Sequence, residues 1–104
     1  MEPLKGFQRS YLTKKAHNLS PVVMIGGNGL SDAVVDATDQ ELENHEMIKV
    51  KFVDYKEDRK NIASELAEKT DAHLVRVIGN IAILYRYQPD HDKRIYHVPK
   101  SSSR

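Results

Sequence analysis

Residues 22–31 read Val22-Val23-Met24-Ile25-Gly26-Gly27-Asn28-Gly29-Leu30-Ser31, and this stretch decides the fold. Four consecutive apolar residues closed by glycine predict a short strand buried on both faces. Ser31 is a good N-cap, and Leu30, Val34, Val35, Thr38 and Leu42 continue behind it as one apolar stripe, which predicts a helix running to Glu46. A buried strand that passes through a glycine turn into a capped helix is the building unit of α/β domains.

Upstream, Leu12, Ala16 and Leu19 recur at helical spacing, so a first helix is expected from Leu4 to His17 with Pro3 in its first turn. Ser20-Pro21 ends it, because proline disfavours helix in the residue before it. Downstream, residues 47–53 alternate: Ile48, Val50 and Phe52 fall on one side, Lys49 and Lys51 on the other, as in a half-exposed strand. Asp58 is placed to cap a third helix that buries Ile62, Ala63, Leu66 and Ala67 and breaks at Thr70-Asp71.

Residues 73–78 and 81–86 flank Gly79-Asn80, a two-residue hairpin signal. That turn pairs Ile78 with Ile81, Arg76 with Ile83 and Leu74 with Tyr85, and sets Val75, Val77, Ala82 and Leu84 on the opposite face. The prediction is one two-layer α/β domain of order α-β-α-β-α-β-β with a four-stranded mixed sheet over residues 1–87. A polar tail, residues 88–104, is expected to be loosely ordered.

With 104 residues there is room for one core. No apolar run reaches the ~18 residues that cross a bilayer, and the N-terminus lacks a signal-peptide hydrophobic segment. Cysteine is absent, which excludes disulfides, thiolate metal sites and cysteine nucleophiles. A cytoplasmic monomer without cofactor is expected. The net charge of +1 hides sorting along the chain: residues 1–30 carry +3, residues 31–46 carry −6, and residues 73–104 carry +4. Basic surface can therefore exist on a near-neutral chain.

The glycine turn has a chemical use. Without Cβ atoms a foreign backbone can approach closely, and the free N–H groups at a helix N-terminus favour an anion such as phosphate, with Asp32 in the first turn opposing it. The spacing fails the P-loop and dinucleotide-binding patterns but fits a GxxG clamp, the loop with which KH-type domains grip a nucleic-acid backbone. Other candidates are weaker. His45-Glu46 lacks the second histidine of HExxH, since Lys49 stands there, and a structural role at the helix end is favoured. Asp90, His91, Asp92 and His97 lie in the polar tail, and His17 with Ser20 has no orienting acid. No catalytic or metal-binding residue is expected. Tyr85 is assigned to the core in preference to base stacking.

Several separated motifs resemble the CRM domain, named for chloroplast RNA splicing and ribosome maturation, and its stand-alone bacterial YhbY-like members. They are Gln8-Arg9 with Leu12, Ala16-His17-Asn18-Leu19-Ser20-Pro21-Val22-Val23, Ile25-Gly26-Gly27-Asn28-Gly29-Leu30, His45-Glu46-Met47-Ile48-Lys49-Val50-Lys51, and Val77-Ile78-Gly79 leading to Leu84-Tyr85-Arg86. The resemblance spans residues 4–87. It implies a fold like the C-terminal domain of initiation factor three, sheet order 1-2-4-3, RNA as partner, ribosomal RNA or its precursor within the large ribosomal subunit precursor, and no catalysis. It departs at Gly27, where relatives usually carry lysine.

The RNA-binding residues expected are Gly26, Gly27, Asn28 and Gly29 with Arg9, Lys14, Lys15, Lys49, Lys51, Arg76 and Arg86. The alternative is a protein-interaction module of the ribosome-assembly or translation machinery that docks through the acidic second helix.

Overall fold

The computed structural model describes residues 3–54 and 58–100. In chain order the elements are α1 (Gly6–Lys15), β1 (Pro21–Ile25), α2 (Asp32–His45), β2 (Met47–Phe52), α3 (Arg59–Lys69), β3 (His73–Ile78) and β4 (Ile81–Tyr85), followed by a single 3-10 turn, His91–Lys93. The sheet order is β1-β2-β4-β3, with β1 parallel to β2 and the other pairings antiparallel. This is the α/β fold with a four-stranded mixed sheet that the sequence predicts.

Alternation along the strands makes two cores. Val23 and Ile25 of β1, Ile48, Val50 and Phe52 of β2, and Ala82 and Leu84 of β4 point toward α2 and α3, where Leu42, Ala63, Leu66 and Ala67 close the main core. On the other face Met47, Val75, Ile83 and Tyr85 receive Leu12 and Ala16 of α1. The sheet and the α2/α3 pair are the two full layers, and α1 adds a partial third.

Five local expectations are corrected. Pro3 lies before the first helix, which begins at Gly6, because the Gln8 side chain accepts from the Lys5 N–H at 2.9 Å and closes the helix there. The first strand is buried on one face only, with Val22 and Met24 45% and 52% exposed. Asp58 stands at the N-cap of α3 in a left-handed conformation (φ 59°) with no side-chain capping bond. The N–H of Ile62 instead uses its carbonyl.

The hairpin pairs Ile78 with Ile81 and Arg76 with Ile83 as expected, but Leu74 faces Leu84 and His73 faces Tyr85. The shift lies between Leu74 and Arg76, a bulge in which Val75 is the extra residue. Val75 thereby joins Ile83 and Tyr85, and Leu74 turns to the main core.

The fifth correction concerns the tail. Residues 88–100 return over the α1 side of the sheet, where Tyr96 and Val98 pack against the second core. Glu46, 4% exposed, accepts from the N–H groups of Ile95 (2.8 Å) and Tyr96 (3.2 Å), and the Gln8 amide donates to the Pro99 carbonyl at 3.0 Å. A buried carboxylate needs such donors, and two backbone amides are what the tail supplies.

Candidate nucleic-acid interface

The glycine loop closes at the end of β1 by one tight turn, in which the Gly29 N–H donates to the Gly26 carbonyl at 3.0 Å. Gly29 has φ 63°, a conformation that L side chains rarely adopt, so glycine is favoured there. Gly27 and Asn28 are exposed at the tip. Behind the loop, α2 starts on its serine cap, with the Val34 N–H donating to Ser31 Oγ at 3.2 Å.

A neighbour that the sequence does not announce is Asp54. A Cβ on Gly27 would lie 3.3 Å from Asp54 Oδ2, and one on Gly26 would lie 3.6 Å from it. The loop therefore carries a carboxylate beside it, held there because the chain leaves β2 alongside β1, with the Val53 N–H on the Ile25 carbonyl. A phosphate on the loop meets that charge as well as the helix dipole.

The basic residues fall in two groups. Lys49 and Lys51 of β2 share the α1-side face of the sheet, and Lys49 Nζ lies 3.4 Å from the His17 carbonyl, next to the end of α1 that presents exposed Lys14 and Lys15. Lys51 pairs across to Met24 on one side and Ile81 on the other, one step in from the glycine loop. Arg9 and Arg76 lie at the far edge of the sheet. There, with Lys60 of α3, they line a groove of about 480 Å³ along β3 together with Ser64, Leu74, Val75 and Val77. Lys60 escapes sequence reading because it sits in a helical first turn, where a lysine usually marks nothing but a solvated face.

Arg86 is not part of this surface. Its guanidinium turns to the α2/α3 side and donates to Asp39 Oδ1 (2.6 Å), the Asp39 carbonyl (3.1 Å), Glu43 Oε1 (3.4 Å) and the Thr70 carbonyl (3.0 Å). By alternation from Leu84 it must point there. Two acids of the helix read as a solvated face thus tie β4 to α2. Removing the side chain in Arg86→Ala is expected to lower stability by about 1–2 kcal/mol, since both carboxylates are more than half exposed and only the Thr70 carbonyl bond is sheltered. RNA affinity measured on the same variant is expected to stay within a factor of about two; a large loss would return Arg86 to the interface.

The remaining candidates are accounted for structurally. His45 ends α2 and pairs with Glu41 at 3.3 Å. Tyr85 is 2% exposed and stacks on His73, with ring centroids 6.1 Å apart; burial first, and the Glu46 charge second, push its hydroxyl up to about 12. Tyr87 lies under the Arg94 guanidinium at 4.5 Å. Among the described residues no group of three or more histidines and carboxylates is disposed to hold a metal, and no helix is long and apolar enough to cross a membrane.

A four-stranded mixed sheet backed by two helices, with a glycine turn at the mouth of β1 and cations on the other face, makes a small α/β domain whose β1–α2 connection is Gly26-Gly27-Asn28-Gly29. The chain belongs to the CRS1 / YhbY (CRM) domain family, whose pattern it matches over residues 4–86. It is 40% identical over 87 residues to an RNA-binding protein of Haemophilus influenzae, covering 83% of this chain and 88% of that one. It is 34% identical over 84 residues to the probable RNA-binding protein YqeI of Bacillus subtilis, covering 80% and 88%. The solution structure of a hypothetical protein from Staphylococcus aureus superposes with a TM-score of 0.80 at 35% identity, over 92% of this chain and 99% of that one.

Proposed function

We propose that this chain binds RNA through its phosphate backbone, holding ribosomal RNA or its precursor on the glycine loop and adjacent basic surface during large-subunit assembly. In this reading it is a cytoplasmic monomer with no catalytic role and no cofactor. Residues 1–87 form the binding unit and residues 88–104 its polar tail, of which residues 95–99 strap across the domain. The observation that carries the reading is the one-sided charge of the sheet. On the α1 side the strands present Lys49, Lys51 and Arg76 and no acid, flanked by Arg9, Lys14 and Lys15. The relatives' names support RNA binding, the coarser part of the reading. The protein-docking alternative is weakened because Asp39 and Glu43 of the acidic helix already bind Arg86.

Contact with phosphate releases counterions, so affinity for RNA must fall with salt. With about four of the six cations engaged, the expected loss between 50 and 200 mM salt is roughly fifty-fold for a single strand. Affinity indifferent to salt would sink the reading. In the same titration Asn28→Asp is expected to weaken binding several-fold and Asp54→Asn to strengthen it about three-fold, since each changes one charge within ~5–6 Å of the bound phosphate.

A further inference from the structure

The half of the sheet that α1 and the tail leave open is an apolar strip set among cations. Met24, Lys51, Ile81 and Ile78 stand side by side across the strands, as the pairings Met24 with Lys51, Lys51 with Ile81 and Ile81 with Ile78 require. Met24 and Ile78 are each 52% exposed, and Val22 and Val53 border the strip at 45% and 53%. Four of the six large hydrophobic side chains that are exposed among the described residues are therefore gathered in one place. Such clustering marks a surface with a partner, whereas scattered exposed apolar residues need no explanation.

The surroundings choose the partner. The strip starts at the strand that feeds the glycine loop, Met24 being two residues before Gly26, and runs toward the edge where Arg9, Lys60 and Arg76 line the β3 groove. Lys51 rises from its middle and Lys49 stands one row behind. No acidic residue lies on this face of the four strands. Cations thus stand in the middle and at the β3 end of an apolar track about three strand spacings, ~14 Å, wide, whose other end opens on the glycine loop. A polyanion that also exposes apolar surface fits this arrangement. Paired RNA hides its bases in the stack and offers only backbone and groove edges, whereas unpaired RNA presents base faces beside its phosphates.

We propose that the open half of the sheet takes unpaired nucleotides, with bases laid against Met24, Ile81 and Ile78, and the backbone running from the glycine loop past Lys51 to the Arg9–Lys60–Arg76 groove. This rests on the RNA-binding reading above and narrows it to single-stranded segments. Among the described residues the strip is aliphatic, and its contact with a base is apolar burial with little dependence on base identity. The cations at the β3 edge, which also discourage edge-to-edge pairing of a bare strand, hold the exit of the backbone.

The test compares a short single-stranded RNA oligonucleotide with the same sequence fully paired, both titrated against the full chain. The unmodified protein is expected to bind the single strand at least ~10-fold more tightly. The double variant Met24→Thr/Ile78→Thr keeps charge and strand propensity while removing apolar contact; it should lose about ten-fold on the single strand and little on the duplex. Lys60→Ala should lower the single-strand salt slope by about 0.7. Circular dichroism and thermal unfolding confirm that each variant is folded. Equal or tighter binding of the duplex, or full single-strand affinity in the threonine variant, overturns the proposal and leaves the strip to a protein partner. Absence of binding to either RNA overturns the RNA-binding reading itself, a distinguishable result.

Discussion

Leu12→Ala is expected to destabilise the protein by about 3–4 kcal/mol and to detach the basic helix from the sheet. Leu12 is the fully buried residue of α1 in the second core and, with Ala16 at the helix C-cap, is set against Met47, Val75, Ile83 and Tyr85, while Tyr11 packs at the margin. Truncation removes most of that contact and leaves a cavity that α1 cannot easily collapse, since its start is fixed by Gln8 on Lys5 and Pro99. For a domain of this size the midpoint of thermal unfolding should fall by roughly 12–25 °C. Because α1 also carries Arg9, Lys14 and Lys15, RNA affinity should drop further than loss of folded protein explains at temperatures below the transition. A decrease of less than about 1 kcal/mol would show that α1 is only loosely seated.

The parts legible in the sequence are those whose signals are local. The run 22–25, the glycine turn and the Ser31 cap set β1, the loop and α2, and the Gly79-Asn80 turn set the hairpin, because each is specified by residues within one turn of one another. The bulge at Val75 was not legible, since Leu74 and Val75 are both apolar and alternation cannot say which of two neighbours is doubled. The exposure of Met24 was hidden for the same reason: an unbroken apolar run carries no period, and that half of the sheet stays open because α1 and the tail pack on the other half of the same face.

The site divides in the same way. Residues 26–29 announce themselves by composition, and Lys49 and Lys51 by alternation. Asp54 beside the loop, Lys60 in the β3 groove and the diversion of Arg86 into α2 depend on which distant segments meet, and charge counted along the chain cannot supply that. Arg86 is the clearest instance, because in sequence it stands next to two tyrosines at the end of a strand, a common setting for phosphate contact, and only strand parity with Leu84 sends it to the acidic helix.

Glu46→Ala is expected to cost about 3 kcal/mol and to release the C-terminal strap. Glu46 is the one residue between α2 and β2, with φ 69° and ψ −42°, and its carbonyl accepts the Arg86 N–H at 2.8 Å. Its carboxylate takes two amide donors from the tail, each such charge-assisted bond contributing about 1.5–3 kcal/mol when sheltered. Alanine loses both bonds yet keeps the unfavourable positive φ, whereas Glu46→Gly relieves the backbone and should recover about 1 kcal/mol of the loss. Hydrogen exchange at the Ile95 and Tyr96 amides should rise toward unprotected rates in both variants. A second readout is the tyrosines, since burial and then the Glu46 charge raise both Tyr85, to about 12, and Tyr96. A hydroxyl held above its ordinary value of 10 contributes stability that is complete below pH 10 and is lost as pH rises through about 12. Without the Glu46 charge, absorbance titration should show tyrosinate forming at lower pH than in the unmodified protein. Unchanged protection of both amides would mean that Tyr96 and Val98 hold the tail by packing alone, and that the buried carboxylate serves only the turn between α2 and β2.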